Sequence, residues 1–208
     1  MFVRIASGVR AKRAGFMFQK GTSNENLIID ALLGNGFEHH SSSIEVYKPL
    51  LDLPKPGEEF NWLSLESGGL AEEDFKRYWN QSMSFSANQQ STLSMEEQLE
   101  SVKAEPGEGW RSACRVFFEK DIPIGVVIPH IEPGTDEEGR LFYFGILREA
   151  RGRGLGQVLH EQALYMLRDL GASYYIGSTH QANTAMQKVF KKNGCTVTRG
   201  TESYYIYF

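Results

Sequence analysis

The stretch LFYFGILREARGRGLGQVLHEQALYMLRDLG, residues 141–171, decides the fold. Residues 141–147 contain no charge and three aromatic side chains, which predicts a strand covered on both faces. Between residues 155 and 170 the apolar side chains recur three and four positions apart, which predicts an amphipathic helix that ends at Gly171. The polar side of this helix is predicted to carry Gln157, His160, Glu161 and Arg168.

The turn between strand and helix is rich in glycine and arginine: RGRGLG, residues 151–156. A turn of this kind directs unpaired backbone N–H groups of a helix N-terminus at an anion, usually phosphate, and arginines add charged donors. It is not a Walker A loop, because no Lys-Ser/Thr pair follows the glycines. It is not a dinucleotide-binding GxGxxG loop either, because the third glycine is replaced by Gln157. An ordinary tight turn is the remaining alternative.

The loop does match the pattern Arg/Gln-x-x-Gly-x-Gly/Ala after a strand, and in this it resembles the acyl-CoA pyrophosphate loop of the GNAT N-acetyltransferase superfamily. The resemblance implies acetyl-CoA as the co-substrate, with no metal. The residues that it assigns to the pyrophosphate are Arg151, Gly152, Arg153, Gly154, Leu155, Gly156 and Gln157.

A second motif lies downstream, where Asn183 begins the segment NTAM and Asn193-Gly194 ends the predicted helix. The family also begins this helix with Asn and ends it with Gly and a hydrophobic residue, although Cys195 stands here where Phe is usual. The resemblance implies that Asn183 and Phe190 contribute to the cofactor site. Asn183 is equally well explained as a plain helix N-cap.

From residue 58 onward, the predicted order β-α-α-β-β-β-α-β-α-β-β resembles the GNAT fold from its first strand to its last. The predicted strands are 60–65, 111–120, 122–130, 141–147 and 173–178, followed by a hairpin of 195–199 and 203–208. The predicted helices are 70–83, 94–105, 155–170 and 183–192. The expected fold class is α/β (α+β), the GNAT acyl-CoA N-acyltransferase fold: a mixed, mostly antiparallel twisted sheet flanked by helices.

An N-terminal extension, residues 1–56, precedes the acetyltransferase domain of residues 57–208. Its pattern predicts a strand at 15–18, a helix at 25–33 and a hairpin within 37–50. A shift of 158 residues places this pattern on residues 173–208, although only three residues are identical. Two interpretations stay open: the vestigial half of a second GNAT-like unit, or an arm that completes the sheet or a dimer.

Composition excludes several classes of function. Hydrophobic (41%) and charged (23%) fractions are those of a soluble globular protein, and a net charge of −4 argues against general nucleic-acid binding. No apolar run approaches the ~20 residues that span a membrane. Cys114 and Cys195 form no spaced motif, so we expect reduced thiols in a cytoplasmic protein rather than a disulfide or zinc site. The basic segment 1–24 resembles a transit peptide in composition, but the predicted strand and helix favour folded structure.

The resemblance also implies that the central strand and the next one splay apart, so that the pantetheine arm pairs with the free edge like an added strand. It places Phe144, Gly145 and Ile146 at this edge, with the Ile146 N–H as the oxyanion donor. Gly145 either marks the point of splaying or makes room for neighbouring aromatic rings.

Acetyl transfer to an amine needs a base, because an amine of pKa ~10.4 must lose a proton before it attacks. Ser178 stands five residues before Asn183, where some relatives have glutamate. The candidate substitutes are His180, Glu132, His130 and Tyr143, with His180 first because histidine titrates near neutrality. Phe190 stands where many relatives have the tyrosine that protonates the leaving thiolate.

The expected function is therefore N-acetylation of a primary amine on a small molecule or peptide, by direct attack on acetyl-CoA. The alternative, which Phe190 and the absent glutamate suggest, is a non-catalytic acyl-CoA-binding or regulatory module. The expected partner is the amine acceptor, with no nucleic acid and no membrane, and a homodimer is a further possibility.

Overall fold

A computed structural model describes residues 13–57, 60–86 and 93–208. The first half of the basic N-terminal segment 1–24 and most of the predicted polar loop at 84–92 lie outside the described residues.

The described chain contains eight strands and six α-helices. The strands are β1 (Arg13–Gln19), β2 (Glu38–Pro49), β3 (Asn61–Ser64), β4 (Arg115–Glu119), β5 (Ile122–Ile131), β6 (Glu138–Ile146), β7 (Tyr174–His180) and β8 (Thr196–Tyr207). The helices are α1 (Glu25–Gly34), α2 (Glu72–Met83), α3 (Met95–Ala104), α4 (Trp110–Ala113), α5 (Leu155–Asp169) and α6 (Thr184–Lys192).

All eight strands form one sheet in the order β1-β8-β2-β7-β6-β5-β4-β3. Every pair is antiparallel except β6 and β7, which are parallel. Neighbouring residues of a strand point to opposite faces. Val116 and Val126 therefore pack under α2, α3 and α4, whereas Phe117 and Val127 pack under α5. The predicted fold class, a mostly antiparallel mixed sheet flanked by helices, is confirmed.

The two predicted hairpins, within 37–50 and 195–208, are wrong. Each segment is one strand of twelve residues, β2 and β8. Residues placed at or near the predicted turns are paired within the sheet instead: Gly200 pairs with Ile44 and Ser203 with Ser41. Because β2 lies between β7 and β8, each long strand takes its partner from the other end of the chain rather than from a local turn.

Three further predictions need correction. Residues 111–113, predicted as strand, form the end of helix α4, so β4 begins at Arg115. His160, predicted on the polar side of α5, is completely buried because α6 covers that side. Strand β6 was predicted to be covered on both faces, but most of its residues are only half-buried, because one edge borders a cavity.

The pairing of the first two strands mirrors that of the last two. A shift of 158 residues places Glu38 on Thr196 and Pro49 on Tyr207, the ends of β2 and β8. In the β2–β8 ladder, adding 158 to the β2 residue of a pair and subtracting 158 from its β8 partner gives another pair of the same ladder. Glu38–Tyr205, for example, becomes Tyr47–Thr196, and Ser43–Thr201 becomes itself. Both irregularities of the ladder exchange as well. Likewise β1 pairs with β8, and β7 pairs with β2. The first strand of each strand–helix–strand unit, β1–α1–β2 or β7–α6–β8, therefore pairs with the last strand of the other unit.

Candidate active site

A cavity opens where β6 and β7 separate. The two strands pair only at Glu138–Tyr174 and Gly139–Tyr175, at the start of each. Beyond that point they enclose a cavity of about 590 Å³ together with the glycine loop, α6 and the end of α2. The residues predicted for the cofactor site that line it are Phe144, Gly145, Ile146, Arg151, Gly152, Gly154, Leu155, Gly156, Gln157, Asn183 and Phe190, and Tyr143, a predicted catalytic candidate, lines it as well.

The free edge of β6 presents backbone groups to this cavity. The Leu147 N–H bonds to the Ile124 oxygen at 2.9 Å, and in the same register Gly125 stands opposite Ile146. In an antiparallel ladder only alternate residues turn their N–H and C=O toward the neighbouring strand. Phe144 and Ile146 therefore direct their N–H groups away from β5, toward the side that β7 has left.

The glycine loop has the backbone of an anion cradle. Gly152 and Gly154 have φ of +78° and +81°, a conformation that favours glycine. Gly154 is also the N-cap of α5, so the N–H groups of Leu155 and Gly156 have no carbonyl one helical turn earlier to bind. A side chain at either glycine would meet no atom within 4 Å, so the space above the loop is open.

The two arginines of the loop are already engaged. The Arg151 guanidinium donates to the carbonyl oxygens of Ile146 (3.1 Å), Ser82 (2.7 Å), Ser84 (2.9 Å) and Phe85 (3.4 Å). It thus holds the segment after α2 against the end of β6. Arg153 binds both oxygens of Glu119, at 2.7 and 2.8 Å, and does not line the cavity.

Two lysines that belong to neither motif line the cavity instead. Lys188 and Lys192 lie four residues apart, on one face of α6. The signal was available in the sequence, as a pair of cations at helical spacing behind Asn183, but the motif does not include them.

Tyr143 lies in the cavity wall and explains the glycine two residues after it. A side chain on Gly145 would collide with the Tyr143 phenol, which favours the packing interpretation of this glycine. The β6 irregularity falls at Phe142 instead. The Tyr143 hydroxyl lies 3.0 Å from the Ser82 hydroxyl. Burial raises the pKa of Tyr143, so at neutral pH the phenol keeps its proton and can only donate it.

Asn183 and Phe190 both face the cavity and both have structural roles. Asn183 is the N-cap of α6: its side-chain oxygen accepts from the Met186 N–H (3.1 Å), and its amide donates to Thr179 (3.0 Å). Phe190 is buried and packs against the rings of His160 and Tyr175.

The predicted bases are less well placed. His180 ends β7, where its Nδ1 accepts from the Ala182 N–H at 3.1 Å, and it does not line the cavity. Glu132 lies beside His130 beyond the end of β5, also outside the lining. Ser178 does line the cavity, and directly opposite it on β2 stands Glu45.

Glu45 was missed because no local signal marks it. Residues directly opposite on antiparallel strands share a face of the sheet. The Glu45 carboxylate therefore lies on the Ser178 face, where Arg199 donates to it at 2.8 Å. Only the pairing of β2 with β7, which joins distant parts of the chain, reveals this position.

Comparisons with known proteins agree with this geometry. A family model described as the acetyltransferase (GNAT) family matches residues 72–195, more than half of the chain. A comparison with curated proteins finds no match. Within the described parts of the chain, no helix combines the length and the apolar character needed to cross a membrane.

Among solved structures, the chain is similar to a GCN5-related N-acetyltransferase from Sphaerobacter thermophilus (TM-score 0.69, 14% identity), covering 94% of this chain and 59% of that one. It is also similar to the tandem GNAT protein of the clavulanic acid biosynthesis pathway (0.59, 15%; 94% and 63%). Ard1 from Thermoplasma volcanium is a shorter relative in fold (0.52, 12%; 71% and 96%). At these identities the likeness concerns the fold alone, and the chain spans less than two thirds of the first two structures.

Proposed function

The chain belongs to the acetyltransferase (GNAT) family, and from that membership we propose that it transfers an acetyl group from acetyl-CoA to a primary amine of a small molecule or peptide. Proteins of this family use acetyl-CoA as co-substrate and generally act on amine acceptors. The observation that carries the proposal is one cavity bordered by both the free edge of β6 and the glycine loop.

The residues present fit acetyl-CoA. The extended pantetheine arm matches the free edge of β6, where Phe144 directs its N–H at the cavity and leaves the Ile146 N–H for the thioester end of the cofactor. The pyrophosphate matches the open cradle of Gly152 to Gly156, and Lys188 and Lys192 supply positive charge on the facing wall. Bound there, acetyl-CoA supplies a thioester whose carbonyl carbon is open to attack by an amine.

We assign the N–H of Ile146 to the thioester oxygen, where negative charge develops during attack. A preorganised donor at such a position contributes ~3–4 kcal/mol to catalysis. Tyr143 is the candidate donor of a proton to the departing thiolate of CoA, since its phenol stays protonated in the cavity wall and Phe190 has no proton to give.

The acceptor amine needs a group that takes its proton. His180, Glu132 and Glu45 all lie outside the cavity lining, but Glu45 stands directly opposite the lining residue Ser178, and for this reason we propose Glu45 for the role. Its carboxylate stands one strand from Ser178, so a water molecule between the two completes the path. Arg199 holds the carboxylate in place.

We further propose that residues 1–56 derive from the last strand–helix–strand of a second GNAT-like unit. The exchange symmetry of the two units, β1–α1–β2 and β7–α6–β8, supports this. The first strand of each unit pairs with the last strand of the other, and the two last strands pair with each other. The likeness in fold to the tandem GNAT protein of the clavulanic acid biosynthesis pathway is in keeping with it. The unpaired thiols of Cys114 and Cys195 support the cytoplasm as the compartment.

Binding and turnover of acetyl-CoA test the proposed function, with two glycines as a matched pair. Gly154→Ala and Gly36→Ala each place a side chain at a similar φ, +81° and +82°, so each costs ~1 kcal/mol of stability. Only Gly154 lies in the proposed cradle. We expect calorimetry to show at least a tenfold weaker affinity for acetyl-CoA in Gly154→Ala and an unchanged affinity in Gly36→Ala. Equal losses in both variants would refute the cradle.

Phe190 favours a second candidate, the non-catalytic acyl-CoA-binding module. The two candidates separate when release of free CoA thiol is followed with a broad panel of amines. Turnover with any amine, reduced in Glu45→Gln, supports the enzyme. Tight binding of acetyl-CoA without turnover on the whole panel supports the module, and the absence of binding contradicts both.

A further inference from the structure

A second cluster of chemically active side chains lies at the end of β6 that is remote from the glycine loop. Glu105 is the C-cap of α3, His130 is near the end of β5, and Glu132 follows that strand. The His130 Nε2 atom lies 3.6 Å from the Glu105 Oε1 atom and 3.6 Å from the Glu132 Oε2 atom. The three atoms all lie within 4.8 Å of one another. Their spacing along the chain matches no metal motif, so the sequence did not predict the cluster.

The imidazole of His130 has no hydrogen-bond partner among the described residues although it is buried. Its exposure is 4%, and within residues 13–57, 60–86 and 93–208 neither ring nitrogen has a partner within hydrogen-bonding distance. Contacts of 3.6 Å are too long for hydrogen bonds. A buried polar ring is normally satisfied, so one that faces two carboxylates across a gap indicates that something belongs between them.

The charge of the cluster indicates a cation. The cluster and its neighbours hold three carboxylates, of Glu105, Glu132 and Glu138, and one guanidinium, that of Arg140, which lies beside Glu132 and Glu138. Arg140 binds Glu138 at 2.6 Å and lies 3.6 Å from Glu132. With a neutral imidazole the formal charge of these groups is −2, which one divalent cation would balance.

We propose that Glu105, His130 and Glu132 bind a divalent transition-metal ion, Zn²⁺ in the first instance. One imidazole nitrogen and two carboxylate oxygens form a ligand set that Zn²⁺ accepts, with a water molecule in the fourth position. Ligands about 2.1 Å from a tetrahedral ion stand roughly 3.4 Å apart, so the two 3.6 Å separations need little adjustment. Mg²⁺ and Ca²⁺ are poor alternatives because they prefer oxygen ligands only.

The ion would act on the shape of the cavity rather than on the chemistry in it. It joins the end of α3 to the turn between β5 and β6, two parts of the chain that no strand pairing connects. The His130 ring packs edge-on against Phe142, with centroids 6.4 Å apart, and Phe142 lines the cavity. Fixing His130 therefore fixes one side of the cavity wall.

The test is titration of the untagged, chelator-treated chain with Zn²⁺ and, separately, with Co²⁺. We expect one ion per chain by calorimetry, a raised unfolding temperature and, for Co²⁺, visible absorption typical of nitrogen and oxygen ligation. Glu105→Gln and Glu132→Gln change partly exposed side chains and should fold, and each should weaken binding by at least about tenfold. His130→Gln should abolish it.

Two controls separate this site from others on the chain. Glu108→Gln removes the same charge three residues from Glu105 and should leave the affinity unchanged. His39→Gln removes a His–carboxylate contact elsewhere on the chain, that with Glu202, and should also have no effect. The proposal is overturned if neither Zn²⁺ nor Co²⁺ binds at micromolar concentration. It is equally overturned if the two Glu→Gln variants bind as tightly as the parent chain, or if His39→Gln removes the binding.

Discussion

The units β1–α1–β2 and β7–α6–β8 share their order of elements and their pairing, yet only the second borders the cavity. Strand β7 has β6 as its other neighbour, whereas β1 is at the edge of the described sheet. Helix α6 packs against α5 through Asn193, whereas Leu27 and Leu33 of α1 are 70% and 52% exposed. A strand–helix–strand unit thus lines the cavity only where it meets β6 and the glycine loop.

Deleting the first unit should have the largest effect on stability. A chain that begins at residue 51 leaves β8 without both of its neighbours and β7 without one. We expect it to lose cooperative thermal unfolding, measured by circular dichroism and calorimetry. Residues 1–50 supplied as a separate chain should restore the transition. A cooperative transition of the shortened chain alone would show that β8 can pair with β7 directly.

The pH dependence of stability should distinguish the two units, because of the two only the second packs over His160. Burial lowers the pKa of His160 from 6.5 to about 3, so between these values the unfolded chain binds a proton that the folded chain does not. Stability is therefore lost as the pH falls from about 6.5, by roughly 3 kcal/mol at pH 4.5. Urea unfolding at pH 7 and pH 4.5 measures this loss.

His160→Leu removes the titration while filling the same buried space. It should lessen the acid loss by most of that amount relative to the parent chain. An identical pH dependence of the two proteins would contradict the assignment.

The smallest expected difference between the two units is at two asparagines in corresponding positions, Asn193 and Asn35. Asn193 reaches out of α6 to His160 Nδ1 (2.9 Å) and the Gln157 oxygen (3.0 Å), whereas Asn35 bonds only to Ala31 of its own helix. We expect Asn193→Ala to cost about 2 kcal/mol in urea unfolding, because it leaves a buried acceptor unsatisfied. Asn35→Ala should cost about 0.5 kcal/mol, because its bond is exposed. Equal costs would mean that the contact with α5 contributes nothing.

Local pattern predicted most of this fold. The helices at α2, α3, α5 and α6, and the capping box of Ser94 and Glu97, are confirmed, because periodicity and capping act within a few residues. The glycine loop could be placed for the same reason, as a short motif between two strongly patterned elements.

Whatever depended on distant partners was predicted poorly. The position of Glu45 opposite Ser178 and the length of β8 follow from pairings between the two ends of the chain, for which a single sequence gives no signal. Arg151 has the charge that suits a phosphate, but four carbonyl oxygens brought together by the fold engage it. His160 counts as polar in any helical pattern, and only the covering helix α6 buries it.

The place of β8 between β1 and β2 sets the order of events during synthesis. Residues 13–49 are made first, but both of their strands need residues 196–207 as a partner. Until those residues follow, β1 and β2 carry unpaired edges that can join strands of other chains. Contacts between distant parts of a chain also form slowly. We therefore expect nascent chains to aggregate unless the early strands are shielded, and a circular permutant that begins with β7–α6–β8 to escape this delay.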